Sequence, residues 1–161
     1  MRAPPEIRPA TDDDVPLVLS FVRQLAEYEK LSHAVVATEE GLRDMLFGAQ
    51  RGAEVLLAFE AGAPVGFAVY FHNFSTFLGR RGLWLEDIFV PPERRGRGYG
   101  KALLLAVARI AQERGCGRFE WAALDWNTPA WEFYRSLGAT PLEDWTMFRV
   151  SGEALERLAA M

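Results

Sequence analysis

The chain has 161 residues, 50% of them apolar and 25% charged, with a net charge of −4. That is the size and balance of a single domain, residues 1–161, with a buried core, and the net charge argues against a nucleic-acid partner, which would call for excess positive charge. Cys116 is the one cysteine, which excludes an internal disulfide framework and fits a reducing, cytoplasmic setting. No apolar run approaches the roughly 20 residues of a membrane span, and the opening MRAPPE lacks the apolar stretch of a signal peptide, so no membrane partner is expected. Residues 6–10 read as a first strand. Thr11 with Asp14 three residues on makes a capping box that opens a helix running to about Lys30, with Val15, Val18, Leu19, Val22 and Leu25 on one face. Thr38 caps a shorter helix through Leu42, Met45 and Leu46. Residues 54–60 and 65–74 are apolar strands joined by an Ala-Gly-Ala-Pro turn, and residues 75–82 read as a loop. A strand from about Leu83 to Val90 ends at Pro91-Pro92, which cannot donate to a ladder. Leu103, Leu104, Val107, Ala108 and Ala111 then recur at helical spacing. A strand over residues 118–124 follows, then a helix from Asn127 with a proline in its first turn, stopped at Leu137-Gly138. Residues 145–150 read as a last strand, and Ser151 opens an amphipathic terminal helix.

Strands separated by full helices require parallel neighbours, whereas hairpins require antiparallel ones. The pattern therefore gives an α/β (α+β) chain with a mixed sheet and helices on both faces. Between the strand ending at Val90 and the next helix lies Arg95-Gly96-Arg97-Gly98-Tyr99-Gly100-Lys101. Glycines at alternate positions let the backbone approach a ligand closely, and a helix N-terminus behind them favours an anion such as phosphate. Arg94, Arg95 and Arg97 add positive charge, either for that anion or as solvated loop residues. A P-loop would place Ser or Thr after Gly100-Lys101, where this chain has Ala102, and a dinucleotide fingerprint would read G-x-G-x-x-G near the start of a βαβ unit. Neither fits. His33 and His72 have no ligand-type neighbours in the sequence, so no metal is expected.

The turn resembles the acetyl-CoA loop of the GNAT superfamily of N-acetyltransferases, Arg or Gln, two residues, Gly, one residue, then Gly or Ala. The resemblance narrows to the diamine acetyltransferase-like group through IRPAT at Ile7, LAEYEKLS at Leu25, WLEDIFV at Trp84 and LDWNTPAWEFYRSLGA at Leu124. It implies a GNAT fold with a mostly antiparallel central sheet, acetyl-CoA as co-substrate, a small amine as acceptor and a homodimer. An alkylamine with a pKa near 10.4 is protonated at neutral pH and has no lone pair for attack. The resemblance makes Glu86 the proton acceptor, through water, and Tyr134 the acid that protonates the leaving thiolate. From its neighbours Phe133 and Trp131 alone, Tyr134 reads as a packed aromatic. Backbone groups near Ile88, Phe89 and Val90 would polarise the acetyl carbonyl. Asn127 is either a contact to the pantetheine arm or a plain helix-entry residue. Tyr28 and Glu29 line the amine pocket on the resemblance, or form the frayed end of a helix; Asp87 pairs with the amine or caps a loop; Trp145 walls the pocket or sits in the core. Polyamine-acetylating members carry an acid where this chain has Ser75-Thr76, followed by Arg80 and Arg81. That departure points to a lysine-like amine of the thialysine type first and a diamine second. An enzyme acting on protein lysines or N-termini, and a non-enzymatic acyl-CoA-binding module, are the other readings.

Overall fold

The runs VLLAF at Val55 and VGFAVYF at Val65 are apolar at every position, so strands built from them need cover on both faces. The computed structural model describes residues 3–161 and supplies that cover within one compact unit, which extends to Ala122; a second unit runs from Ala123 to Met161. In the first unit, β1 (Glu6–Pro9), β2 (Glu54–Glu60), β3 (Ala63–Ser75), β4 (Arg80–Phe89) and β5 (Phe119–Trp121) form one sheet in the order β1-β2-β3-β4-β5. All neighbours are antiparallel except β4 and β5, which are parallel because α3 (Tyr99–Glu113) carries the chain between them.

One face of the sheet packs on α1 (Val15–Tyr28) and α2 (Glu39–Phe47). Phe21 of α1 stacks on Phe67 with centroids 5.2 Å apart and meets Phe89 edge-on at 6.4 Å, contacts worth about 0.5–1.5 kcal/mol each beyond their burial. The other face takes α3. A Cβ on Gly66 would lie 3.1 Å from Leu103 Cδ1, so helix and strand approach as closely as glycine permits. Arg114, at the end of α3, clamps Glu54 of β2 through two hydrogen bonds of 2.6 and 2.8 Å.

The first helix starts as the spacing predicts. The Asp14 carboxylate accepts from the Thr11 N–H at 2.7 Å, and a 3-10 turn, Asp12–Asp14, leads into α1. The expected loop at residues 75–82 is shorter: β3 and β4 stay paired out to Ser75 and Arg80, because ladder pairing outweighs the weak strand preference of these residues. In the second unit, α4 (Thr128–Ser136) and α5 (Gly152–Ala159) form. The expected strand over residues 145–150 does not, since no neighbour takes its ladder hydrogen bonds, and the segment is exposed.

Asp14 also receives both ends of the Arg8 guanidinium, at 2.7 and 3.0 Å, and these bonds hold its carboxyl down at about 2. A depressed carboxyl contributes stability that is present above its unfolded value and lost as pH falls through the folded one. Because Arg8 is partly solvated, Asp14→Asn should cost about 1–2 kcal/mol at pH 7. Denaturant melts should show that difference shrinking between pH 4 and pH 2.

Candidate functional site

β4 ends at Phe89, and two prolines and an arginine-rich turn carry the chain into α3. Gly96 and Gly98 have φ of 74° and 85°, a left-handed backbone that disfavours other residues, whereas Gly100 is already helical. The first intrahelical bond of α3 is Ala102 N–H to Gly98 C=O at 2.9 Å. The N–H groups of Tyr99, Gly100 and Lys101 precede it and are left for an anion by helix geometry. Arg94 and Arg97 stand over this turn with Glu60, at the end of β2, 4.0 and 3.7 Å from them. The donor set fits a phosphate group. Glu60 is a residue the sequence pattern did not single out, because its partners lie more than thirty positions away.

Arg95 points elsewhere. Its Nε donates to Val90 C=O at 2.9 Å, and its guanidinium lies 4.1 Å over the ring of Tyr28 and 5.7 Å from that of Phe89. The turn is thereby tied to the end of α1. That end is closed rather than frayed: Lys30 takes φ of 61°, the Leu31 N–H reaches Ala26 C=O at 2.7 Å, and the Lys30 N–H reaches Glu27 C=O at 3.1 Å. This is the paired closure usually made with glycine. It fixes Glu29, the residue just past the helix, and burial pushes the Glu29 carboxyl up.

Across from Glu29 the ladder between β3 and β4 breaks step. Val69 pairs with Asp87 and Tyr70 with Leu85, so Glu86 has no partner on β3. Glu86 is exposed and accepts a hydrogen bond from Trp84 Nε1 at 3.0 Å. Asp87 is half-buried, and burial first, then the charges of Glu86 and Glu29, push its carboxyl up to about 6. Tyr28, Glu29, Glu86, Asp87, Ile88, Phe89, Val90 and the Arg95 to Lys101 turn thus belong to one region of the first unit. Two open surface clefts, of about 690 and 460 Å³, lie elsewhere, along α2 and along the outer side of α1.

Ser75 does not join this region. It is 6% exposed, and its Oγ accepts the Leu78 N–H at 3.2 Å, closing the β3–β4 turn. Six residues of strand, roughly 20 Å, separate it from Val69, so it is not in the wall formed with Asp87. Trp145 is 79% exposed, neither core nor wall within its unit. In that unit Asn127 stands at the start of α4, where its carbonyl accepts from Ala130 and Trp131 and its side chain makes no cap. Tyr134 is half-buried beside Phe133, with ring centroids 5.5 Å apart, and burial pushes its phenol up. Among the described residues no group of His, Cys, Asp and Glu is arranged to hold a metal ion.

Residues 22–139 match the model of the acetyltransferase (GNAT) family. A thialysine N-epsilon-acetyltransferase of Sus scrofa is 42% identical over 95% of this chain and 96% of its own. L-ornithine N5-acetyltransferase NATA1 of Arabidopsis thaliana is 32% identical over 94% of this chain and 86% of its own. Among solved structures, an integron cassette protein of V. cholerae superposes with a TM-score of 0.81 at 29% identity, over 99% of this chain and 100% of that one.

A carboxyl raised by burial lowers stability once it ionises. For Asp87 that loss begins above its unfolded value near 3.8 and is complete above about 6. Asp87→Asn, which cannot ionise, should therefore be more stable than wild type by about 1–2 kcal/mol at pH 7.5. In urea melts the two proteins should converge below pH 4.

Proposed function

Because the chain belongs to the GNAT family of acetyltransferases, which use acetyl-CoA as co-substrate, we propose that it transfers the acetyl group to the primary amine of a small lysine-like amino acid, by direct attack in a ternary complex. The observation that carries this reading is the wall made by Glu86 and Asp87, on the strand that leads into the phosphate-type turn, with Glu29 from the end of α1. The carboxylates bind the ammonium group and take up its proton. The turn of Gly96 to Lys101, which includes Arg97, holds the pyrophosphate through backbone N–H groups, and a backbone N–H near Phe89 or Val90 polarises the acetyl carbonyl. Asn127 contacts the pantetheine arm. Tyr134 protonates the departing thiolate; a phenol pushed up by burial stays protonated at neutral pH, which supports a donor role.

The choice of a lysine-like amine over a polyamine leans on the thialysine and ornithine acetyltransferases among the relatives, with a diamine as second choice. It no longer leans on Ser75, whose side chain is committed to its own turn. The family match runs from residue 22 to 139, across both compact units, which supports reading them as one functional domain. A homodimer and a cytoplasmic location complete the proposal. Exposed Leu142, Trp145, Met147 and Phe148 support the first, as apolar side chains that a second copy would cover. The single unpaired cysteine supports the second, and no helix among the described residues is long and apolar enough to cross a membrane.

A panel of amines with acetyl-CoA, followed by CoA release, tests the activity. Thialysine or lysine should turn over fastest, and Tyr134→Phe should lower kcat by about 10²-fold or more while acetyl-CoA affinity changes little. Turnover unaffected by that substitution would remove Tyr134 from the chemistry. Sedimentation should give twice the monomer mass, and Phe148→Glu should yield a monomer.

A further inference from the structure

An acceptor ammonium beside Glu29, Glu86 and Asp87 has three carboxylates within reach as proton acceptors, and the strand geometry separates them. The ladder skips Glu86, leaving it exposed and hydrogen-bonded to the Trp84 indole. Asp87 instead sits opposite Val69, on the sheet face that carries Phe67 and Phe89, against the closed end of α1. We infer that Asp87, and not Glu86, takes the proton from the acceptor amine before it attacks the thioester. The inference rests on the acetyltransferase reading and names the base within it.

The surroundings suit that task. Glu29 faces Asp87 from the end of α1 and Glu86 adjoins it on β4, while its partner across the ladder on β3 is the apolar Val69. Arg95 is engaged at the Val90 carbonyl and the rings of Tyr28 and Phe89. Nothing in this set offers Asp87 an ion pair, so burial and two like charges favour its protonated form, with a carboxyl at about 6. Against an alkylammonium near 10.4, that makes proton transfer about a hundredfold more favourable than to an ordinary aspartate. Glu29, fixed by the left-handed turn at Lys30, remains to hold positive charge on the substrate.

The step balances as follows. One proton passes from R–NH3⁺ to the Asp87 carboxylate, and the lone pair so freed attacks the thioester carbonyl carbon. The C–N bond forms and the C–S bond breaks. A second proton leaves nitrogen as the thiolate is protonated, and Asp87 later releases its proton to solvent. The sum is ammonium plus acetyl-CoA giving amide, CoA thiol and one proton.

The test compares wild type, Asp87→Asn, Asp87→Glu and Glu86→Gln, with kcat and acceptor KM followed from pH 5 to 9 using a lysine-like amine. Acetyl-CoA binding, measured calorimetrically, confirms that each variant is folded. Asp87→Asn should lose about 10²–10³-fold in kcat, change acceptor KM less than threefold and lose the acid limb of the kcat profile. Asp87→Glu should restore that limb, and Glu86→Gln should keep it but move it to lower pH, because one of the like charges that hold the Asp87 carboxyl up is gone. A weakly basic alkoxyamine, unprotonated at the assay pH, should recover most of the turnover lost in Asp87→Asn. The inference fails if the limb survives in Asp87→Asn, if it disappears in Glu86→Gln, or if Asp87→Asn acts through acceptor KM alone. If wild type acetylates no amine in the panel, the acetyltransferase reading fails and takes this inference with it; a wild type that is active with its limb set by Glu86 overturns the inference and leaves the reading standing.

Discussion

Strict alternation along β4 would place Leu85, Asp87 and Phe89 on one face of the sheet. A fully buried leucine, a carboxylate and a core phenylalanine would then compete for the same surroundings. The bulge removes that conflict. Leu85 pairs with Tyr70 and Asp87 with Val69, and because Tyr70 and Val69 point to opposite faces, the strand changes its buried side between them. Leu83 and Leu85 are buried on the side of Tyr70, whose ring lies 5.9 Å from the Arg114 guanidinium at the end of α3. Asp87 and Phe89 serve the α1 side. One extra residue thus lets a core strand end as the floor of a polar site, and both the carboxylate wall and the entry to the turn depend on it.

The second element of the site is the end of α1, and its rigidity is held from two directions. A left-handed Lys30 is less favourable than glycine there by roughly 1 kcal/mol, yet the two backbone bonds to Ala26 and Glu27 are made. Arg95 then caps the same corner by lying on Tyr28. Since Arg95 belongs to the turn proposed to hold the anion, the wall proposed to meet the amine cannot shift without disturbing it. A long, charged loop side chain acts here as a strut between the turn and the end of α1, and its contribution is geometric before it is electrostatic.

Much of this was legible in the sequence where the signal is local. The double proline, the glycine turn and the apolar helix that follows define the turn without any tertiary information, and the Thr11 and Asp14 pair marks the start of the first helix. The segments around Trp84 and Leu124 carry the family resemblance. What stayed hidden depends on the register in which strands pair and on contacts between residues far apart in the sequence. WLEDIFV reads the same with or without a bulge, so nothing in it tells that Glu86 is expelled and Asp87 buried. Arg95 looked like a phosphate ligand because its ring partner Tyr28 is 67 positions upstream. Ser75 looked like a specificity residue because a serine that caps a turn has the same letters as one that meets a ligand. Residues 145–150 have strand composition, but composition does not supply the neighbour that a strand requires.

The distribution of charge along β4 and α3 also bears on how two unlike substrates are sorted. CoA is a polyanion and the proposed acceptor is a cation, and each would be drawn to the wrong end of a mixed site. Near the turn, Glu86 and Asp87 lie before the double proline, with Glu29 from the end of α1, whereas Arg94 and Arg97 lie after it, next to Glu93 and within 4.0 Å of Glu60. The one arginine that crosses the boundary, Arg95, has its guanidinium on aromatic faces and a backbone carbonyl rather than on the carboxylates. The acidic wall therefore keeps its negative charge for the proposed amine. Keeping those carboxylates unpaired lowers stability, and the same unpaired state holds the Asp87 carboxyl up where a proton from an amine is accepted more readily.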